Sequence, residues 1–538
     1  MSDTEGEQLA KKGLTAEAAE DVRVVAKGGA IQIAGQFSQR GLSYVFGILF
    51  NLILSTASYG LYRLAAQILA NLSQLGLAGF NYASMRWITR ARAAGDPGGV
   101  RGAMRVGIGG ALLASVLVTI ALVLFTEPIA RFFESDPGST TTGNLVADAA
   151  SGLFGTFRTS GPSLNELLLL GAPYIGLYAM MQVLRYSTQA YKTMVPSVMV
   201  GNIIQPIART IIGVSLLLAG AGIAGAVIGL NISIAISLVV AVWYLRRLLT
   251  PEQLAAAPTY PVGPMTRFAI PQAGASLLGV QTLGLGILIL GRYDTNFAVG
   301  LFAIALSLQG PGNIFLGGIV NIWAPVVSDL YERKDIDRLG ALYQTINRWI
   351  ATFSFPVFAA LILLPDVFTF FYQRPEAASV VAILALGNIF YTGTGPTGYV
   401  ISMTGHPGVN FLNSLVGVIL YVVLGVMVVP KHGAVGMAWV DVGVTILINS
   451  VRVVEAKILV GVQPFGRTFY KPVVATLAVA AVLAPWKLFA GDSIAVQAVG
   501  LGIGLAVYLA ALKLLGVDPE ERMVLNRIKN RAFKRGKP

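Results

Sequence analysis

Two arginines lie in otherwise apolar stretches, and each closes a stripe of amides. Gln32, Gln36 and Arg40 are spaced i, i+4, i+8, and Asn202, Gln205 and Arg209 are spaced i, i+3, i+7. On a helix, both spacings put the polar groups on one face. The flanks, such as Leu42–Leu54 and Ile211–Leu218, are mostly apolar. An arginine at bilayer depth costs at least ~2.5 kcal/mol on insertion scales, so it rarely faces lipid and usually marks a polar cavity or a functional site. It stays protonated and offers phosphate oxygens a planar fork of donors. The chemistry these residues could do is the recognition of an anion inside a membrane, and a transporter with anionic cargo is expected. A snorkelled or structurally paired guanidinium is the alternative for either one.

Gln32, Gln36, Asn202 and Gln205 can donate to sugar hydroxyls and solvate a cavity wall. A second stretch adds Gln67, Asn71, Gln74 and Asn81, mostly on one face; Gln272, Gln281 and Asn321 extend the set further along the chain. For each amide the alternative is packing, since amides hydrogen-bond between membrane helices for modest gain. Arg292, at the edge of its apolar stretch, is a candidate later contact for a departing anion. Carboxylates are nearly absent from the apolar stretches. Asp441 is the clearest exception and a candidate coupling group, with helix packing or arginine pairing as the alternative. A cation-driven drug antiporter normally needs several such groups.

The elements that must carry these residues are membrane helices. The chain has 538 residues, 55% hydrophobic and only 12% charged, with mean hydropathy +0.70. A soluble chain would carry about a quarter charged residues. Stretches of roughly 20 residues, long enough to cross, fall near 28–54, 61–84, 102–126, 166–188, 195–218, 223–245, 268–290, 298–326, 348–368, 379–402, 409–429, 435–455, 472–489 and 496–515. If the N-terminus is cytoplasmic, 30 Lys and Arg fall on the cytoplasmic side and 7 on the other, with Arg40 and Arg209 inside spans. Both termini are therefore expected in the cytoplasm, with the chain a multi-pass protein of the cytoplasmic membrane. The net charge of +13 sits in short stretches between spans, a pattern that argues against a nucleic-acid partner. There is no cysteine, and His406 and His432 lie in apparent loops, so no metal site is expected. No phosphate-binding GxxxxGK[ST] motif occurs, and neither a cofactor nor an enzymatic activity is expected.

A gapless shift of 240 residues pairs Lys27 with Arg267, Gln32 with Gln272, Gly60 with Gly300, Leu61 with Leu301, Tyr62 with Phe302, Ala65 with Ala305 and Asn81 with Asn321. The first two spans thus correspond to the seventh and eighth. Six spans separate the copies, so both have the same orientation, and the substrate site of such parallel repeats usually lies between the halves. The expected fold is an all-α polytopic membrane protein of about fourteen transmembrane helices, with two pseudo-symmetric six-helix lobes and two C-terminal helices. Its divisions are a cytoplasmic tail over 1–26, an N-lobe over 27–247 with a long external loop at 127–165, a C-lobe over 248–457, a final helix pair over 458–515 and a basic cytoplasmic tail over 516–538. That tail suits anionic lipid head groups.

Four local patterns carry a family resemblance: Ser58–Tyr–Gly–Leu–Tyr62, Pro325–Val–Val–Ser–Asp329–Leu–Tyr–Glu–Arg–Lys–Asp335, the glycine-bearing turn Val429–Pro–Lys–His–Gly433–Ala–Val–Gly436, and Asp518–Pro–Glu–Glu–Arg522. Their order and spacing over roughly 27–525 resemble the polysaccharide-transport branch of the multidrug/oligosaccharidyl-lipid/polysaccharide exporter superfamily. The resemblance implies a flippase that carries polyprenyl-(pyro)phosphate-linked oligosaccharide from the inner to the outer leaflet by alternating access. Membrane lipids, and a glycan polymerase or glycosyltransferases, would be its partners. It makes Arg40, Arg209 and Arg292 candidate pyrophosphate ligands, and the amides candidate sugar contacts. A lipid II flippase ranks second, because those proteins typically carry two arginines in the first span where this chain has only Arg40. A drug or metabolite antiporter of the same superfamily is a further alternative.

Overall fold

The computed structural model describes residues 16–133, 162–191, 193–277, 283–489 and 493–516. Each of the fourteen apolar stretches has a helical counterpart. In the first half these are α1 (Ala16–Ile53), α2 (Thr56–Leu77) with α3 (Phe80–Ala93), α4 (Pro97–Phe133), α5 (Leu164–Gln189), α6 (195–216) and α7 (Gly222–Leu248). In the second half they are α8 (Val262–Leu277) with α9 (Leu285–Tyr293), α10 (Asn296–Glu332), α11 (Ile336–Leu363), α12 (Ala378–Thr394) with α13 (Thr397–Met403), and α14 (Pro407–Val460). The final pair is α15 (Tyr470–Phe489) and α16 (Ile494–Leu514). Among the described residues, eight helical runs are long and apolar enough to cross a membrane by length and composition; two of them, at 54 residues, hold two passes each. The side on which α1 begins is called the near face below, and the opposite side the far face.

Two spans that read as continuous are broken. The second turns at Ala78 and Gly79, both at positive φ, before α3 begins. The seventh is interrupted at Gly284, which has φ 58°. Helix bounds also move: α1 starts at Ala16, well inside the stretch read as a tail, and α4 runs through Pro128 to Phe133, so the first residues of the 127–165 stretch are helical.

The repeat survives at atomic detail. Ser55 caps α2 by accepting the Ser58 N–H at 3.1 Å, and Thr295 receives the Ala298 N–H at 3.3 Å at the start of α10. The two helices cross at Gly60 and Gly300. A Cβ on Gly60 would meet the Asn296 carbonyl oxygen at 1.8 Å, and one on Gly300 the Thr56 carbonyl oxygen at 2.3 Å. Thr56 and Asn296 are themselves a 240-shifted pair, so the contact is reciprocal. The same symmetry governs the hairpins that close each lobe. Gly222 has φ 54°, ψ −147° between α6 and α7, and Gly433 has φ 54°, ψ −142° inside α14. Only glycine adopts that region readily. These two lie 211 residues apart rather than 240, and most of the shortfall arises because α4 and its connection to α5 are longer than α11 and its connection to α12.

Within the N-lobe α5 packs on α2, α4 and α7, and within the C-lobe α12 packs on α11 and α14. The lobes meet where α2 and α1 lie on α10 and where α3 lies on α8. One apolar core runs through both lobes, from Phe46, Phe50 and Tyr62 to Phe302 and Phe358. The seam is held at both ends. On the far face Tyr372 is buried against Tyr44, their ring centroids 5.9 Å apart, and Asn51 donates to its carbonyl. On the near face the Arg86 guanidinium lies 4.6 Å from the Phe268 ring. The final pair, α15 and α16, packs on α11, and a 3.2 Å ion pair between Lys487 and Asp366 ties its far end.

Candidate functional site

Arg40 sits on the seam between the lobes. Its Nη1 donates to the Gly310 carbonyl of α10 at 2.9 Å. Gly317, two turns further along α10, makes room for it: a Cβ there would stand 3.4 Å from both the Arg40 Nη2 and the Gln36 Oε1. No carboxylate lies within ion-pair distance of Arg40 among the described residues. The guanidinium is half-buried, with most of its donor fork unused by the protein.

Arg209 is placed differently. It lies inside the N-lobe, where Nη2 donates to the Tyr62 hydroxyl at 2.6 Å and the guanidinium stacks 4.3 Å from the Phe46 ring. Phe46, Phe50 and Tyr62 form a contiguous ring cluster around it. Its Nε is buried without a hydrogen bond. Arg209 itself, with Gln39, Ser43, Gln205 and Thr210, lines a small groove of about 60 Å³ between α1 and α6. Arg292 lies at the far end of α9, between the rings of Phe132 (5.1 Å) and Tyr293 (5.3 Å).

Only part of the amide set converges. Gln36 accompanies Arg40, and Gln205 accompanies Arg209. Asn202 is buried and donates to the Gln39 Oε1 at 2.8 Å, tying α6 to α1. Gln39 lies outside the stripes read from the sequence, although Gln36, Gln39 and Ser43 continue the polar face of Arg40 at helical spacing. Asn71 serves the backbone of the other lobe. It receives Gln67 at 3.1 Å and donates to the Leu283 carbonyl at 2.9 Å, satisfying a group exposed by the break in the seventh span. Gln74 reaches the Tyr178 hydroxyl at 3.4 Å within the N-lobe. Asn81 is buried on α3 with its Oδ1 unbonded. Gln272 lies half-buried on α8. Gln281 and the side chains of Gln32 and Asn321 lie outside the described residues. Asp441 accepts a 3.0 Å hydrogen bond from Tyr421, across the hairpin of α14.

The fold is that of the multidrug and polysaccharide exporters. A lipid II flippase, MurJ, in its inward closed conformation superimposes with a TM-score of 0.68 at 16% identity, over 90% of this chain and 98% of that one. An inward-facing multidrug resistance MATE transporter of the MOP superfamily matches at TM-score 0.59 and 13% identity, over 80% and 98%. A MOP superfamily transporter from Pyrococcus furiosus with a binding pocket of reversed polarity matches at 0.52 and 13%, over 82% and 96%. No curated protein matches the sequence. The model of the polysaccharide biosynthesis protein family matches residues 25–331. The chain belongs to that family, in the polysaccharide-transport branch of the exporter superfamily.

Proposed function

We propose that this chain is a flippase that exports polyprenyl-(pyro)phosphate-linked oligosaccharide or polysaccharide repeat units across the cytoplasmic membrane by alternating access of its two lobes. The observation that carries the reading is Arg40: a guanidinium on the inter-lobe seam of a polysaccharide-biosynthesis family member, held by one carbonyl and neutralised by no described carboxylate. An anion from the near face can take up the open part of its fork, and rocking the lobes about the seam would expose it to the far face. The near face is the cytoplasmic one, because it carries the excess of Lys and Arg. With the cytoplasm negative, each outward negative charge gains ~2.3 kcal/mol per 100 mV, and that gain drives export. The chain moves its cargo without chemical change; glycosyltransferases build the unit and a glycan polymerase takes it up outside.

The MurJ-like fold favours lipid II as the second cargo, and the buried Asp441–Tyr421 pair is the feature that favours an antiporter. Reconstitution separates these readings. In vesicles holding a fluorescent polyprenyl-pyrophosphate-linked sugar, the wild type should flip the probe faster under an interior-negative potential, and Arg40→Ala should stop it. Potential-independent flipping would sink the driving force. An organic-cation flux abolished by Asp441→Asn, with no lipid flipping, would replace the flippase with the antiporter.

A further inference from the structure

A second guanidinium stands level with Arg40. By sequence Arg452 lies three residues from the near end of its apolar stretch at 455 and counts with the near-face charges, yet α14 continues for eight residues beyond it to Val460. At 1.5 Å per residue that places it about 12 Å inside the near end of the helix. Arg40 lies thirteen residues before the far end of α1 at Ile53, about 20 Å below it. In a hydrocarbon core about 30 Å thick the two occupy one level. Tyr391 reaches the same level, thirteen residues into α12 from Ala378 at the far face. Its phenol lies within electrostatic reach of both Arg40 and Arg452.

The C-lobe orients Arg452 through hydrogen bonds, with Glu455 one turn away and within electrostatic reach. Its Nη2 donates to the Ser414 hydroxyl at 3.0 Å, and Ser414 in turn donates to the Asn410 carbonyl at 3.0 Å. Asn410 donates to Ser402 of α13 at 2.9 Å. The nearby acid, Glu455, accepts the amide of Asn413 and makes no ion pair with Arg452 among the described residues. The Arg452 Nε is buried without a hydrogen bond. Two cations at one depth, neither in an ion pair among the described residues, repel each other in low dielectric, and an anion between them reverses that term.

Building on the flippase reading, we infer that Arg452 is the C-lobe half of a two-lobe anion clamp, which with Arg40 receives the two phosphates of a polyprenyl pyrophosphate head group at the level of Tyr391. Each lobe contributes one guanidinium, so the head group itself bridges the lobes. A pyrophosphate suits the clamp better than a monophosphate, which offers one group to two forks.

The test is binding of polyprenyl pyrophosphate and polyprenyl monophosphate, without sugar, to the detergent-purified full chain by native mass spectrometry, with melting temperature as the folding check. Arg452→Ala should weaken pyrophosphate binding at least tenfold, as should Arg40→Ala, while monophosphate binding changes less than threefold. The double variant should bind little worse than either single one, because a clamp fails when one jaw is lost. Arg452→Lys keeps the charge and should recover part of the affinity; it carries the test if Arg452→Ala does not fold. Wild-type pyrophosphate affinity in Arg452→Ala, alongside loss in Arg40→Ala, would overturn the clamp and leave the flippase reading standing. Failure of the wild type to bind either lipid would overturn both.

Discussion

Arg40 and Arg209 share a sequence signature and differ in what surrounds them. Both end an amide stripe in an apolar span. Arg209 is enclosed by its own lobe: α1 supplies Phe46, α2 supplies Tyr62, and all three helices are braced together through one guanidinium. Arg40 projects across the seam to the backbone of the other lobe. The depths differ as well. Arg209 lies seven residues before the far end of α6 at Leu216, about 10 Å below it, whereas Arg40 lies about 20 Å below the far end of α1 at Ile53. A buried cation satisfied by rings and a phenol holds a structure together, while one satisfied by a single carbonyl leaves donors for a ligand. Under the proposed function, the difference predicts that Arg40 contacts the cargo and that Arg209 braces the lobe.

Substitutions should separate the two arginines. The largest effect belongs to Arg40→Ala, which should cut export of lipid-linked glycan at least ~100-fold, the scale of losing one partner of a desolvated charge contact, with the melting temperature unchanged. Equal loss of melting temperature and export would place Arg40 with Arg209. Next comes Arg209→Ala, which removes a charge-assisted hydrogen bond and a cation–π contact and should destabilise the protein by about 3 kcal/mol. Its export per folded molecule should stay within a few-fold of wild type, as read by surface glycan normalised to folded protein. Tyr62→Phe should cost about 2 kcal/mol by leaving the guanidinium unsatisfied. Combined with Arg209→Ala it should add little, a coupling that a double-mutant cycle of melting temperatures would measure. The smallest effect is Asn202→Ala, at about 1 kcal/mol for the lost Gln39 hydrogen bond, with export intact.

Much of the fold is legible in the sequence because its determinants are local or periodic. Each of the fourteen apolar runs marks a helix or helix pair. The glycine in Val429–Gly436 marks the α14 reversal, since only glycine adopts its backbone angles readily. The Gly60/Gly300 pairing locates the repeat. The breaks at Gly79 and Gly284 are not legible, because a break inside the membrane is set by who satisfies the exposed backbone. For the seventh span that partner is Asn71, more than two hundred residues earlier. The amide stripes likewise give a face but not a neighbour: they mark Asn202 but not its partner Gln39. Arg452 is hidden for a different reason. A helix that overruns the apolar stretch, from 455 to Val460, moves a charge at the apparent edge of a span further into it.

The crossing of α2 and α10 has the geometry of a symmetric homodimer folded into one chain. Each glycine approaches the carbonyl that its counterpart's helix presents, so the interface is isologous. Coupling between the halves follows. Adding a methyl at Gly60 displaces the start of α10, and that start carries the surface against which Gly300 meets Thr56. A single substitution on one side is therefore felt twice, and the two positions are free to diverge in sequence only together.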